Sequence, residues 1–483
     1  MKPFYQKTID RRDFIKKTTC GAMSSLPILS TLLSLKAANQ AAAASLGSEG
    51  DCKTIVCVFL GGGNDSFNTI VPIDAQHAEY SVSRSNLAIP INDLLPINQL
   101  PDGDGRNYGL HPSLPNLQEL FHGFQGDANK RRLAIISNIG TLLEPTDKDT
   151  YLNESVELPK ALFSHSDQQQ QWQTSVPQGM NDLSGWGGRI ADVLHSTMNT
   201  SQTSMSISLN GNNVFQTGNQ TNPFVITPDG ALVFEDGRFN WPGGDHPFTI
   251  KNDALRSALE EEHNNLIRQA FTNVMTESIE SQAFYQSVYE SFDESSVNFN
   301  FNTTNNLQSQ LGGTLKAIAL REQLGLRRQT VFVEGGNFDN HLELLNTHQG
   351  ELQLVNDAAY AFQDGLETLG LEDSVITVFI SEFGRTLRSN GRGTDHAWGG
   401  NSFVMGGPVA GGRVYGQFPS LALDGPNDIG RGGLMVPTLS VDEFYAEILQ
   451  WFGVSNADMP YVLPNIENFY TIGSGAPIGF LNS

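Results

Sequence analysis

Three apolar runs in this chain end in the same kind of polar, glycine-bearing turn. Val375-Ile376-Thr377-Val378-Phe379-Ile380 leads into Ser381-Glu382-Phe383-Gly384-Arg385-Thr386, with Asp395-His396-Ala397-Trp398-Gly399-Gly400 nine residues further on. Thr54 to Leu60 leads into Gly61-Gly62-Gly63-Asn64-Asp65-Ser66, and Thr330 to Val333 into Glu334-Gly335-Gly336-Asn337-Phe338-Asp339-Asn340-His341. Short, continuous, β-branched runs read as strands buried on both faces, the signature of a parallel sheet. Carboxylates, a guanidinium and imidazoles at the ends of buried strands are costly unless something uses them. In open α/β sheets ligands bind beyond the carboxyl ends of the strands, and glycine there permits positive φ and close approach of the backbone. The expected fold is therefore α/β, with a mostly parallel central sheet flanked by helices and a polar site at one edge.

The intervening segments fit that layout. After His111-Pro112, Leu117, Leu120, Phe121 and Phe124 recur at helical spacing, and Leu133-Ala134-Ile135-Ile136 reads as the next strand of a βαβ unit. Helices are predicted from Ser164 to Trp172, Trp186 to Leu194, Asn252 to Phe292, Leu307 to Leu324 and 349–370. A last one runs from Val441 to Phe452, where Ser440 and Glu443 have capping-box spacing. Between Ser204 and Ile250, serines alternate with Met205, Ile207 and Leu209, and Gly, Asn and Pro turns follow, so residues 201–306 are predicted to form an inserted β-rich and helical cap. The core is expected as residues 52–200 and 307–483.

Asp10-Arg11-Arg12-Asp13-Phe14-Ile15-Lys16 has the twin-arginine pattern, followed by a short apolar stretch and an Ala-rich segment. Residues 1–44 are predicted to be a cleaved signal recognised by the twin-arginine translocase, which places the protein in the periplasm or beyond it. No later run is long and apolar enough for an integral membrane segment. The net charge of −23 argues against nucleic acid as a partner. Cys52 and Cys57 lie five apart on one strand-like run, on opposite faces, and are not expected to pair.

Gly-Gly-Asn-Asp at Gly62 to Asp65, Phe-Asp-x-His at Phe338 to His341, Ser-Glu-Phe-Gly-Arg-Thr at Ser381 to Thr386 and Asp-His-x-Trp-Gly at Asp395 to Gly399 together resemble the motif series of the domain of unknown function 1501 family. That family comprises secreted bacterial proteins related to the alkaline phosphatase and sulfatase superfamily. The resemblance runs from about Thr54 to Gly453 and implies an alkaline phosphatase-like sandwich. Asp65, Asp339, His341, Glu382, Asp395 and His396 are the candidate metal ligands by residue type, and the resemblance implies that role for Asp65, Asp339, His341, Glu382 and His396. One or two divalent ions are expected, Zn, Mn, Mg or Ca by donor type. Two features depart from the superfamily pattern: the Asp-x-His pair is unusually close, and Phe383 stands where a second imidazole follows the carboxylate.

The implied activity is metal-assisted hydrolysis of phosphate or sulfate esters. Ser164, at a predicted helix start, is the candidate nucleophile or simply an N-cap, and Ser66 is the alternative nucleophile. Arg385 is expected to bind the ester's oxyanion or to pair with a carboxylate. His165 alone reads as structural, and Trp398 as core. The rival reading is a non-catalytic secreted protein that binds a polymer or partner, with the polar residues forming a hydrogen-bonded network.

Overall fold

The computed structural model describes residues 51–482, apart from 102, 180–182, 202, 232–253, 255–256, 260, 262–264 and 297–300. The predicted leader, with Arg11 and Arg12, lies outside the described residues, as does part of the predicted cap. The strands are β1 Lys53–Leu60, β2 Ile70–Pro72, β3 Leu95–Ile97, β4 Tyr108–Leu110, β5 Leu133–Gly140, β6 Ser206–Ser208, β7 Phe224–Thr227, β8 Gly230–Ala231, β9 Arg328–Gly335, β10 Val375–Ile380, β11 Gly400–Met405, β12 Val414–Tyr415 and β13 Leu439–Ser440. Ten of them form one sheet in the order β12-β5-β11-β10-β1-β9-β6-β7-β8, with β13 also on β5, while β2, β4 and β3 make a small antiparallel sheet.

β1 pairs in parallel with β10 on one side and β9 on the other, and β6 extends the parallel run beyond β9. β11 is antiparallel to both β10 and β5. The sheet is thus mostly parallel, with one reversed strand near its middle. β5 runs in the direction of β1, as the βαβ expectation requires, but β10 and β11 lie between them. The Ser206–Ser208 run is β6 of this sheet, so the segment predicted as a cap begins by extending the core. Its serines are buried along with Met205 and Ile207, which leaves no polar face for a cap strand.

Ile55, Val56, Cys57 and Val58 are completely buried, so both faces of the central strand are covered. Helix Leu344–Leu369 packs on helices Asn306–Ala319 and Pro115–His122, and helices Val441–Phe452 and Trp186–Met198 lie against β1 and β9. The predicted capping box is present: Ser440 accepts from Asp442 N–H, and Glu443 accepts from Ser440 N–H. Cys52 and Cys57 are free and buried, and burial pushes the Cys57 thiol up, which leaves it inert.

Since β1, β9 and β10 are parallel neighbours, their carboxyl ends meet at one edge. Gly61 to Asp65, Gly336 to His341 and Ser381 to Arg385 all leave the sheet there. β11 runs the other way, so its amino end, preceded by Asp395 to Gly399, comes to the same edge.

Candidate metal centre

Loop 384–387 pairs with loop 395–398 through Gly384 N–H to Trp398 O, Ala397 N–H to Gly384 O and Thr386 N–H to Asp395 O. This short ladder places His396 opposite Arg385. The turn after β9 approaches the β1 loop so closely that a Cβ on Gly62, at φ +110°, would lie 2.4 Å from Asp339 N. Asp339 is fixed there by Arg385, whose Nη1 donates to Oδ1 at 2.9 Å.

Three imidazoles surround that carboxylate oxygen. Asp339 Oδ1 lies 3.0 Å from His341 Nε2, 3.3 Å from His396 Nε2 and 3.4 Å from His165 Nε2. His341 Nε2 and His396 Nε2 are 3.0 Å apart. Each ring has its other nitrogen against a fixed acceptor. His165 Nδ1 is 2.8 Å from Glu382 Oε1, His396 Nδ1 is 2.7 Å from Phe163 O and His341 Nδ1 is 3.2 Å from Asp395 Oδ1. In a neutral imidazole the nitrogen facing an acceptor carries the proton and the other is an acceptor. The three Nε2 lone pairs and Asp339 Oδ1 therefore converge on one place. His165 Nε2 is buried and makes no hydrogen bond. His165, Asp339 and His396 offer ligand atoms within 4.8 Å of one another, close enough that they could hold a metal ion.

The supports are built in. Glu382 is fully buried and accepts from Gly62 N–H at 2.9 Å and Gln169 Nε2 at 3.0 Å as well as facing His165. The Phe163 backbone is held at φ 73°, a region that non-glycine residues avoid, and that conformation accompanies a carbonyl aimed at His396. Phe163 and Leu162 pack on a core cluster of Leu142, Ala397, Trp398, Leu434 and neighbours. Phe383 stacks on His396 at 4.7 Å between centroids and lies 4.8 Å from the His165 ring. Burial holds the His396 imidazole below its usual value, reinforced by the charges of Arg385 and His165 against the Phe163 hydrogen bond. Burial would raise Asp339, but the Arg385 hydrogen bond and charge, with His341 and His165, hold it below the usual carboxylate range.

The expected site residues divide. Asp339, His341, Asp395 and His396 come together, with Asp395 acting on His341. Glu382 orients His165 and contributes no atom to the metal-holding group. Asp65 contributes no atom to the group formed by His165, Asp339 and His396: it is buried in an ion pair with Arg84, whose guanidinium is itself completely buried. Of the two readings of Arg385, the structure has the pair with a carboxylate: it is completely buried, with donors committed to Asp339, Gly62 O, Thr394 Oγ1 and Thr394 O. Ser164 occupies the N-cap position of helix His165–Thr174, but its hydroxyl donates to Asp167 Oδ2 and makes no cap bond. Ser66 is buried, and its Oγ accepts from Asn401 N–H at 2.8 Å. Trp398 is core, its indole donating to Thr141 O.

His165 is the residue sequence reasoning underrated. It supplies the imidazole beside Glu382 that Phe383 does not. The usable signal was its position at the first turn of a helix opening toward the strand ends.

A cavity of about 300 Å³ opens beside the cluster, lined by Phe163, His341, Thr386, Asp395, His396, Arg431 and Leu434. No helix among the described residues is long and apolar enough to cross a membrane.

A search of curated proteins finds no match. Among solved structures the chain is similar to a 2-O GAG sulfatase, at 10% identity and a TM-score of 0.31, covering 83% of this chain and 71% of that one. That likeness is too remote to bear on activity. Residues 251–461 match the family described as Protein of unknown function (DUF1501), a span that takes in Asp339, His341, Glu382, Arg385, Asp395 and His396 but not Asp65, Ser164 or His165.

Proposed function

We propose that the protein is an exported, metal-dependent hydrolase of phosphate or sulfate esters, with one divalent cation held by His165, Asp339, His396 and His341. The observation behind this reading is the convergence of three Nε2 lone pairs on Asp339 Oδ1 at 3.0–3.4 Å. Acceptors facing acceptors repel unless a positive charge lies between them. One proton relieves one such pair, whereas one cation relieves all of them. A set of three imidazoles and a carboxylate suits zinc, or manganese, better than magnesium or calcium. An acceptor on each Nδ1, fully buried in the case of Glu382, is the usual outer support of metal-bound histidines.

A bound cation would act as a Lewis acid on the ester. The chain's own residues do the rest. Glu382 and the Phe163 carbonyl keep His165 and His396 in one tautomer, and Phe383 shields both rings from water. With the Ser164 hydroxyl committed to Asp167, the attacking oxygen is assigned to water. The ester class rests on the motif series. A second reading, a metal-holding binding protein, is favoured by one observation: among the described residues that form the cluster there is no hydroxyl or thiol.

Elemental analysis of protein purified without chelator tests the cation. The expected result is about one divalent ion per chain, with loss of at least about tenfold in metal affinity in His165→Ala and His396→Ala. Wild type is expected to turn over aryl phosphate, phosphodiester or aryl sulfate esters, and Ser164→Ala to keep that activity. Metal without turnover across the panel selects the binding protein, and absence of metal selects the hydrogen-bonded network. Activity abolished in Ser164→Ala with metal retained returns the nucleophile to Ser164.

A further inference from the structure

We propose that Arg431 is the anion-binding residue of the cavity beside the metal centre, and that the group it takes is the oxyanion of a small phosphate or sulfate ester. The identity of the anion rests on the ester-hydrolase reading. The anion site itself does not.

Arg431 lines the same cavity of about 300 Å³ as His341 and His396. That volume is at the lower end of small-ligand sites. Among the described residues its guanidinium makes no hydrogen bond or ion pair. This contrasts with Arg385, which is buried with its donors taken. The one carboxylate on the cavity wall, Asp395, directs Oδ1 to His341 Nδ1 and to Asn390 Nδ2. The remaining wall is mostly apolar, Phe163 and Leu434, with Thr386. A planar cation with free donors beside imidazoles is the arrangement that binds a tetrahedral oxyanion in two-point fashion.

The backbone presenting Arg431 is strained and held. Arg431 has φ 55°, between Gly430 at φ 111° and Gly432 and Gly433 at φ 92° and 95°. A non-glycine residue among three glycines in left-handed conformations is costly, and such a conformation persists only where surroundings impose it. Here they do. Asp428 is buried and its Oδ1 accepts from Gly430 N–H at 2.7 Å and Leu434 N–H at 3.2 Å. Arg388 N–H donates to Gly432 O at 2.8 Å and Leu387 N–H to Gly433 O at 3.2 Å. The loop is therefore tied to the segment that follows Arg385 and Thr386, which fixes where the guanidinium is rooted relative to the cluster.

The test is titration with inorganic phosphate and, separately, inorganic sulfate, followed by calorimetry and by the rise in melting temperature. Wild type, Arg431→Gln, Arg431→Lys and Arg431→Gly are compared, each zinc-loaded and each chelator-treated. The expected result is anion binding in wild type that weakens about tenfold or more in Arg431→Gln and Arg431→Gly, and less in Arg431→Lys. Metal content is expected to be equal in all four. Arg431→Gly relieves the backbone strain, so its loss of anion binding cannot be ascribed to misfolding. The stronger of the two anions identifies the ester class. Equal affinity in wild type and Arg431→Gln, or no binding of either anion by wild type, overturns the proposal. Arg431-dependent binding in protein that holds no metal upholds it while removing the hydrolase reading. Metal with Arg431-independent binding does the reverse.

Discussion

Two residues at this site illustrate what spacing reveals and what it hides. Glu382 stood out because a carboxylate immediately after a buried strand needs a partner. Its partner, His165, is 217 residues away and was visible only as the residue after a candidate N-cap. Phe383 stands where a second imidazole is expected, and it is the apolar surface on which the His165 and His396 rings rest. The carboxylate's role follows from its burial: it accepts three hydrogen bonds or contacts on Oε1 and contributes no atom to the metal-holding group. Glu382→Gln keeps the volume but weakens the hold on the His165 tautomer. The expected outcome is metal affinity reduced by about tenfold to a hundredfold with the fold intact. Competition with a metal-binding dye measures this, and an unchanged affinity would show that Glu382 is only filling space. Asp65 teaches the converse. Its position in a motif pointed to a metal, but Arg84, in a helix 19 residues on, claims it. Nothing in the sequence around Asp65 or Arg84 taken alone marks the two as a pair.

At the level of elements, the buried strands, the helix Val441–Phe452 and its capping box were legible because each carries a local signal: a period, a run or a cap. Sheet order was not legible. It depends on which buried strands face which, and β10 and β11 separating β1 from β5 leaves no mark on either sequence. Serines in alternation with apolar residues suggest a solvent-facing cap strand at β6, whereas Ser206 and Ser208 are buried beside β9. Loop-to-loop contact is the element-scale feature with most consequence for the site. Gly62 donates to Glu382 and accepts from Arg385, and it passes against the backbone of Phe338 and Asp339. Gly62→Ala adds a methyl where backbone cannot yield, at a positive φ. It is expected to destabilise by roughly 1–3 kcal/mol and to lower metal content as well. Gly126→Ala, also at positive φ but in open space, is the control: it should lose a smaller amount of stability and no metal. Equal metal content in both variants would mean that the β1 loop does not position Asp339.

At the scale of the molecule, the chain combines a large negative charge with a charged and imidazole-rich interior, and two consequences can be measured. The first concerns export, which we infer from Arg11-Arg12. Replacing both with lysine is expected to leave precursor in the cytoplasm, and fractionation of cells lacking the twin-arginine translocase should give the same result. An undiminished exported yield in those cells would remove the assignment. The second concerns acid stability. His111 and His348 lie edge to face, 5.7 Å between centroids. Burial lowers the pKa of both to about 3. The His348 charge adds to the effect on His111 against Asp65, and Arg84 and Arg385 add to it on His348. His348 Nε2 donates to Asn64 Oδ1 at 2.9 Å, and burial keeps the ring neutral in the fold. The unfolded chain would protonate both rings near pH 6.5, so below about that value the unfolded state binds more protons and stability falls with pH. The loss is about 1.4 kcal/mol per group for each pH unit, continuing toward the folded value of about 3. His348→Gln keeps a donor for Asn64 and removes one titrating ring. It is expected to cost stability near neutrality, where the packed imidazole is lost. From about pH 6.5 down to about pH 5, urea-unfolding free energies should then fall less steeply than in wild type, by about one proton's worth of slope. Other titrating groups, among them Asp442, whose pKa burial raises to about 7, are common to both proteins, so their contribution cancels in the comparison. Parallel slopes for wild type and His348→Gln would mean that His348 is protonated in the folded protein, and that the charges of Arg84 and Arg385 do not exclude a third from the same interior.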